Sequence, residues 1–174
     1  MNIVLIGYRG VGKTFIGADL ARRLGMRFVD TDDLIEDKSG RRIPDIFSSG
    51  GEDEFRRMEK AAVKEVSGRD NMVVATGGGV VMDEENVENL KRNGFIVLLE
   101  ADADTILKRI GESDRPRLTG KSRYEEIRYL LDKRMPGYKK AAALSINTAQ
   151  NSKDNVIEEI IRNFRKFHMQ DLRS

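Results

Sequence analysis

The chain has 174 residues, enough for one domain with a sizeable core. Its 31 basic and 29 acidic residues are interspersed and leave a net charge of +2, which argues against a nucleic-acid or membrane surface. There is no cysteine, which excludes disulfides, thiolate zinc sites and thiol catalysis, and a reducing cytoplasm is expected. The first strand-like run begins at Asn2, and no apolar run reaches membrane-spanning length, so we expect neither a signal peptide nor a membrane partner.

Short apolar runs alternate along the chain with stretches of helical spacing. The strands are predicted at 2–6, 27–30, 72–75, 95–99 and 144–147. The helices are predicted at 15–24, 34–38, 52–66, 84–92, 103–109, 122–134 and 155–167. Continuous apolar strands that alternate with helices are typical of a parallel sheet covered on both faces. In such an α/β fold, ligands bind beyond the carboxyl ends of the strands.

A glycine-rich loop follows the first predicted strand. Residues 7–14 read G-Y-R-G-V-G-K-T, which fits G-x-x-x-x-G-K-[ST], and a helical pattern follows at once. Strand, loop and helix in this order predict a phosphate-binding loop, whose N–H groups and helix N-terminus face an anion. We predict that Lys13 reaches the outer phosphates of a nucleotide and that Thr14 binds Mg²⁺. The predicted nucleotide contacts within the loop are Gly10, Val11, Gly12, Lys13 and Thr14.

Two aspartates and three glycines follow the second and third predicted strands. Asp30 and Asp32 are two residues apart, so an extended backbone would point both side chains in one direction. One carboxylate could hold Mg²⁺ while the other accepts a proton from an attacking hydroxyl. The alternative is an N-cap for the next helix at Thr31 or Asp32. Residues 77–79 are all glycine, which allows a ligand to approach the backbone closely.

An arginine and a glutamate lie three residues apart in the helix predicted at 52–66. Arg56 and Glu59 are therefore neighbours on one helix face and could form an ion pair. Such a pair is either an ordinary surface contact or a glutamate that orients an arginine towards an anionic substrate.

The segment 111–121 is polar, basic and bracketed by glycines. Long loops in compact domains are often functional, so we predict a mobile lid here that brings in Arg115. Ser122 and Glu125 predict a capping box at the start of the next helix.

Taken together, these motifs resemble the shikimate kinase family. The matching elements are G-Y-R-G-V-G-K-T at 7–14, D-T-D at 30–32, G-E-D-E-F-R-R-M-E at 51–59, the glycines at 77–79, R-P at 115–116 and K-R-M-P-G-Y at 133–138. The resemblance implies a P-loop NTPase of the nucleoside-monophosphate-kinase-like three-layer type, with a five-stranded parallel sheet and a mobile lid at about 111–122. It also implies a single domain over 1–174 and phosphorylation of the 3-hydroxyl of shikimate by ATP, a step of aromatic amino-acid biosynthesis.

The resemblance further implies a role for each matched residue. Lys13, Asp32 and Arg115 would be catalytic, and Thr14 and Asp30 would hold the Mg²⁺ cofactor. Nucleotide contacts outside the loop would come from Arg109, Arg115 and Gln150. Shikimate contacts would come from Asp32, Arg56, Glu59, Gly77, Gly78, Gly79 and Arg134. The expected partners are shikimate and ATP, and the chain is expected to be a cytoplasmic monomer.

Two positions depart from the family pattern. Arg117 stands in the lid where R-P-L-L is usual, which bears on how the lid packs. The stretch 147–150 reads N-T-A-Q, where many members carry an arginine near adenine.

Three other interpretations remain open. A gluconate-type kinase would share the loop and an aspartate after the second strand, but two arginines placed to hold a planar carboxylate favour shikimate. A GTP-dependent switch would use D-x-x-G at 37–40, although no N-K-x-D guanine motif occurs. The basic residues near the C-terminus are interleaved with acidic ones, which favours a solvated helix face over a nucleic-acid module.

Overall fold

A parallel β-sheet runs through the centre of the protein, whose computed structural model describes residues 1–111, 119–120 and 122–171. Within these ranges the strands are β1 (Asn2–Ile6), β2 (Arg27–Asp30), β3 (Met72–Ala75), β4 (Gly94–Glu100) and β5 (Leu144–Asn147). They pair in the order β2-β3-β1-β4-β5, and all neighbours are parallel. The central β1 is buried along its whole length, because it has a strand on each side and helices on both faces. The predicted five-stranded α/β architecture is confirmed.

Seven α-helices of the described ranges cover the two faces of the sheet. They are α1 (Lys13–Leu24), α2 (Thr31–Ser39), α3 (Ile43–Ser67), α4 (Glu84–Arg92), α5 (Ala103–Ile110), α6 (Arg123–Ala141) and α7 (Lys153–Asp171). Alternate residues of β1 enter different cores, since Ile3 and Leu5 pack with α1 and α7 while Val4 and Ile6 pack with α3 and α4. The result is three layers of helix, sheet and helix. None of the described helices combines the length and apolar character needed to cross a membrane.

Helices α3 and α6 extend furthest beyond their predicted ends. The helix predicted at 52–66 is the second arm of α3, because the backbone of Gly51 (φ 71°, ψ −172°) is not helical and separates it from a first arm that begins at Ile43 and was not predicted. Helix α6 continues to Ala141 with Pro136 inside it, although the prediction ended at 134. Gly51 thus interrupts the helical backbone, as glycine often does. Pro136 does not end α6, because the burial of Tyr138 and Ala141 in the core holds the helical backbone beyond it.

The backbone around the two aspartates differs from the prediction. Helix α2 begins at Thr31, so Asp32 lies in its first turn and not on extended backbone. The N-cap is Asp30, whose carboxylate accepts the Asp32 N–H at 3.0 Å, and the expectation of a cap at Thr31 or Asp32 was wrong. The capping box of Ser122 and Glu125 is confirmed at the start of α6. Most of the predicted lid, including Arg115 and Arg117, lies outside the described residues.

Candidate active site

The phosphate-binding loop connects β1 to α1 at the carboxyl edge of the sheet. Gly12 forms the N-cap of α1 with φ of 99°, a left-handed conformation that favours glycine. Helix α1 therefore starts at Lys13, and the N–H groups of a helix's first turn can bind an anion. The Lys13 ammonium donates to the carbonyl oxygens of Gly7 at 2.8 Å and Tyr8 at 3.0 Å. Backbone donors and one cation thus surround a site that suits phosphate.

Thr14 and Asp30 place two side-chain oxygen groups next to each other beside this loop. The Thr14 hydroxyl donates to Asp30 Oδ2 at 2.8 Å. Burial raises the pKa of the Asp30 carboxyl; the hydrogen bond from Thr14 opposes this shift, and the negative charge of Asp32 adds to it. Mg²⁺ prefers a few protein oxygens completed by substrate phosphates. A hydroxyl and a carboxylate are oxygen donors of this kind, so the pair fits a Mg²⁺ that is carried by a nucleotide. In the described part of the chain, no cluster of three or more His, Asp or Glu side chains could hold a metal.

An open cleft extends from the loop towards α5 and the segment after β5. Arg109 lies at its edge and donates to the hydroxyl and the carbonyl oxygen of Thr148, both at 2.9 Å. On the other side, the Lys153 ammonium lies 4.4 Å from the centre of the exposed Phe15 ring. Asn151 also lines the cleft, whereas Gln150 is exposed and is not among the lining residues. The geometry thus supports a nucleotide contact for Arg109 and offers none for Gln150.

A second cavity with about 590 Å³ of empty space, counting the part open to solvent, lies on the other side of the loop. Its apolar wall consists of Ile43, Phe47, Phe55 and Leu130. Its charged wall consists of Arg9, Asp32, Arg56, Glu59, Glu126 and Arg134. The pocket combines an apolar wall with charged side chains that converge from several elements, as small-molecule sites commonly do.

Arg56 and Glu59 form the predicted ion pair inside this cavity. Arg56 Nη1 donates to Glu59 Oε2 at 2.8 Å, and Nη2 donates to Glu52 at 2.9 Å. Glu59 is only 1% exposed, and this burial raises the pKa of its carboxyl despite the adjacent guanidinium. The buried carboxylate therefore orients Arg56 from within the protein, and the contact is not an ordinary surface ion pair.

Arg134 enters the cavity from α6. Its Nη1 donates to the carbonyl oxygen of Gly78 at 3.2 Å, and its guanidinium lies 5.7 Å from the centre of the Tyr8 ring. The Tyr138 hydroxyl donates to the same Gly78 carbonyl. Burial raises the pKa of Tyr138 to about 12, which keeps this hydroxyl protonated. Two arginines from different helices thus line one pocket, as predicted.

The three glycines after β3 lie against charged side chains of the protein. A Cβ atom on Gly77 would come within 2.7 Å of Glu59 Oε1 and 3.0 Å of Asp32 Oδ1. A Cβ atom on Gly79 would overlap the Arg56 guanidinium. The absence of side chains at these positions therefore allows two carboxylates and an arginine to approach the backbone.

The cleft and the pocket meet at a small set of residues. Arg9, Asp32 and Gly78 line both cavities. A nucleotide in the cleft and an acceptor in the pocket would therefore come together beside Asp32. The arrangement suits phosphoryl transfer between two small molecules.

The sequence model of the shikimate kinase family matches residues 9–165. The chain belongs to the shikimate kinase family. A shikimate kinase of Symbiobacterium thermophilum is 43% identical over 169 residues, covering 95% of this chain and 97% of that relative. The structure of a shikimate kinase from Acinetobacter baumannii in complex with shikimate has a TM-score of 0.90 and 36% identity, covering 95% of this chain and 93% of that chain.

A gluconokinase from Sinorhizobium meliloti is a more distant structural neighbour of this shikimate kinase family member. It has a TM-score of 0.62 and 14% identity, covering 97% of this chain and 96% of that one. This likeness concerns the fold alone.

Several residues that line or adjoin the two cavities of this shikimate kinase family member were not predicted from the sequence, and among them are Tyr8, Arg9, Glu126 and Tyr138. Tyr8 and Arg9 occupy variable positions of the loop motif, and Glu126 belongs to no motif. Tyr138 lies in the matching K-R-M-P-G-Y segment, where the only sign of its role was an aromatic residue near Arg134. The fold brings these residues together from the loop and α6, which no local pattern predicts.

Proposed function

We propose that this chain transfers the γ-phosphoryl group of ATP to the 3-hydroxyl of shikimate, giving shikimate 3-phosphate and ADP for aromatic amino-acid biosynthesis. The observation that carries this assignment is the pocket beside the phosphate loop, which holds both Arg56 and Arg134 and opens into the nucleotide cleft at Asp32. Family membership and the likeness to a shikimate complex support the choice of acceptor.

Arg56 and Arg134 bind the carboxylate of shikimate in this proposal. A guanidinium offers two parallel N–H donors, which match the two oxygens of a carboxylate. Glu59 holds Arg56 in place, and the residues 77–79 provide a backbone surface for the ring. The apolar wall around Phe47 and Leu130 excludes water from the other ring face.

Asp32 acts on the hydroxyl that attacks. Its side chain is 8% exposed and lies where the two cavities join. The carboxylate accepts a hydrogen bond from the 3-hydroxyl and takes its proton as the new O–P bond forms and the bond to the β-phosphate oxygen breaks. ADP is the leaving group.

The loop binds the phosphates during this step. Its N–H groups and the Lys13 ammonium contact the β- and γ-phosphates, and Arg109 contacts the nucleotide at the cleft edge. Thr14 and Asp30 would hold Mg²⁺ there. Bound Mg²⁺ would neutralise charge on the phosphate oxygens.

ATP consumption measured with and without shikimate tests this function. We expect ADP release to need both shikimate and Mg²⁺, with shikimate 3-phosphate as the product identified by mass spectrometry. Gluconate and nucleoside monophosphates should give no more than background turnover. Turnover with gluconate but not with shikimate would favour the alternative kinase.

Several finer assignments stay predictions. They are the single domain over 1–174, the monomeric state, the cytoplasmic location, the contact of Gln150 and the roles of Arg115 and the lid. Size-exclusion chromatography with light scattering would measure the oligomeric state.

A further inference from the structure

Arg9 occupies the junction of the two cavities, at a position that the pattern G-x-x-x-x-G-K-[ST] leaves unspecified. It lines both the nucleotide cleft and the acceptor pocket, and its side chain is 20% exposed. Of the three residues that line both cavities, Gly78 has no side chain and Asp32 is an anion. Arg9 is therefore the cation of this shared set, at the place where phosphoryl charge passes from one molecule to the other.

Glu126 provides a buried negative charge beside Arg9. It lies on α6, is 2% exposed and also lines the acceptor pocket. Its Oε2 accepts the backbone N–H and the hydroxyl of Thr119, both at 3.0 Å, which fixes the carboxylate in one orientation. Its Oε1 lies 3.9 Å from Arg9 Nη2. At this distance the two charges attract each other, but the contact is too long for a hydrogen bond.

The arrangement parallels that of Glu59 and Arg56 in the same pocket. In both cases a carboxylate that is almost fully buried faces a partly exposed arginine. The difference is the distance, which is 2.8 Å for Arg56 and 3.9 Å for Arg9. A guanidinium has five N–H donors, and Glu126 takes none of them in a direct hydrogen bond. Arg9, which also interacts with the Tyr8 hydroxyl, therefore keeps donors for an incoming anion while the Glu126 charge attracts it.

We propose that Arg9 is a further catalytic residue, which donates hydrogen bonds to the phosphoryl oxygens during transfer, and that Glu126 is its positioning residue. The inference rests on the proposed function, because it assigns Arg9 to the same transfer. No proton is transferred to or from Arg9, whose charge balances the negative charge spread over the equatorial oxygens. Such an interaction is stronger in the transition state than in either bound ground state.

The experiment compares Arg9→Gln, Glu126→Gln and the double variant in the full chain. We expect Arg9→Gln to lower kcat by about 10²–10³-fold, as for the loss of one oxyanion donor. The affinities for shikimate and MgADP, measured by calorimetry, should stay within about threefold, because a transition-state contact changes kcat and not binding. Glu126→Gln should lower kcat by about tenfold when Arg9 is present and have no effect in the Arg9→Gln background, because it acts through Arg9.

The controls are Arg128→Gln and Glu88→Gln, both at exposed positions on helices, which should leave kcat unchanged. Turnover of Arg9→Gln within about threefold of the wild type would overturn the catalytic role. Equal losses from Glu126→Gln in both backgrounds would overturn the positioning role and indicate a structural one. If Glu126→Gln does not fold, Arg9→Gln still decides the catalytic role. Thr119→Val, which removes one donor to the Glu126 carboxylate, then takes the place of Glu126→Gln and is measured with and without Arg9→Gln. A wild-type chain that leaves shikimate unphosphorylated would contradict the proposed function itself.

Discussion

The nucleotide cleft and the acceptor pocket are built in different ways. The phosphate end of the cleft is formed by the consecutive loop residues 9–14, and Lys13 supplies a cation from within this segment. The acceptor pocket is formed by side chains of the loop, α2, α3 and α6, and its arginines face buried carboxylates. One site depends on the conformation of a single segment, and the other on the docking of several helices.

This difference determines how much each anion-binding site costs the stability of the fold while it is empty. Backbone N–H groups carry no net charge, so an empty phosphate loop costs the fold little. Arginines that converge on a pocket repel each other, and buried charge is costly unless it is paired. Glu59 and Glu126 offset that cost in the acceptor pocket and also orient the arginines. We therefore expect substitutions at the junction, in the loop and in the metal ligands to have separable effects.

The largest effect is expected at the junction, from Asp32→Asn. An amide cannot accept the proton of the attacking hydroxyl, so kcat should fall by about 10²–10⁴-fold. Asp33→Asn is the matched control, because the neighbouring Asp33 is exposed. The measurement is kcat from a coupled ADP assay, and equal activity of the two variants would show that Asp32 does not act on the hydroxyl.

Lys13→Ala tests the loop alone. Loss of this cation should lower turnover by about 10²–10³-fold, by analogy with the loss of one preorganised electrostatic group. Shikimate binding should be unchanged, because the acceptor pocket does not include Lys13. Lys64→Ala, at an exposed position of α3, is the control. Near-normal turnover in folded Lys13→Ala would contradict the assignment of the loop.

A smaller effect is expected when a metal ligand is changed. Asp30→Asn should raise the Mg²⁺ concentration needed for half-maximal activity by about tenfold or more. Loss of a residue that only supports a metal ligand already weakens metal binding by about 10–100-fold. Asp32→Asn should leave this concentration unchanged, although its turnover is low. Overlapping Mg²⁺ titrations of the two variants would show that metal binding by Asp30 is not separate from the role of Asp32.

The smallest effect concerns the stability of the chain without ligands. Burial raises the pKa of Asp30, so its charged form destabilises the folded state at a pH above this raised pKa. Asn removes the charge and still caps α2, so Asp30→Asn should raise Tm at pH 8, by about 2–4 °C for each kcal/mol relieved. The gain should shrink as the pH falls through the raised pKa, where the wild-type carboxyl becomes protonated. Differential scanning calorimetry at pH 8 and pH 5 would measure it, and a larger gain at pH 5 would contradict the sign.

The strands and the phosphate loop could be predicted because their signals are local. Short strand-like runs of four or five residues predicted β1 to β5, and the motif at 7–14 predicted the loop. The first arm of α3 and the end of α6 could not, since Gly51 and Pro136 are local signals for a helix boundary, and only Gly51 is a real break in the helical backbone. Buried Ile46 and Tyr138 hold the two helices in place beyond these residues.

The acceptor pocket was only partly predictable for the same reason. Arg56 and Glu59 are three residues apart on one helix, so their contact follows from helical geometry. Arg9 and Glu126 meet only because α6 packs beside the loop, and a single sequence contains no signal for that contact. Asp32 was predicted to point inward from an extended backbone. In the structure its backbone is helical, and the first turn of α2 places it at the junction.

Separate binding measurements on the arginines of the acceptor pocket test the central claim most directly. Calorimetry should show that Arg56→Lys and Arg134→Lys each weaken shikimate binding by about 10–100-fold, because charged hydrogen bonds contribute about 1.5–3 kcal/mol and lysine cannot replace a guanidinium fork. MgADP binding should be unchanged in both, and the exposed Arg57→Lys should behave as the wild type. Normal shikimate affinity in both variants, or a loss of MgADP affinity instead, would contradict the division of the site into two cavities.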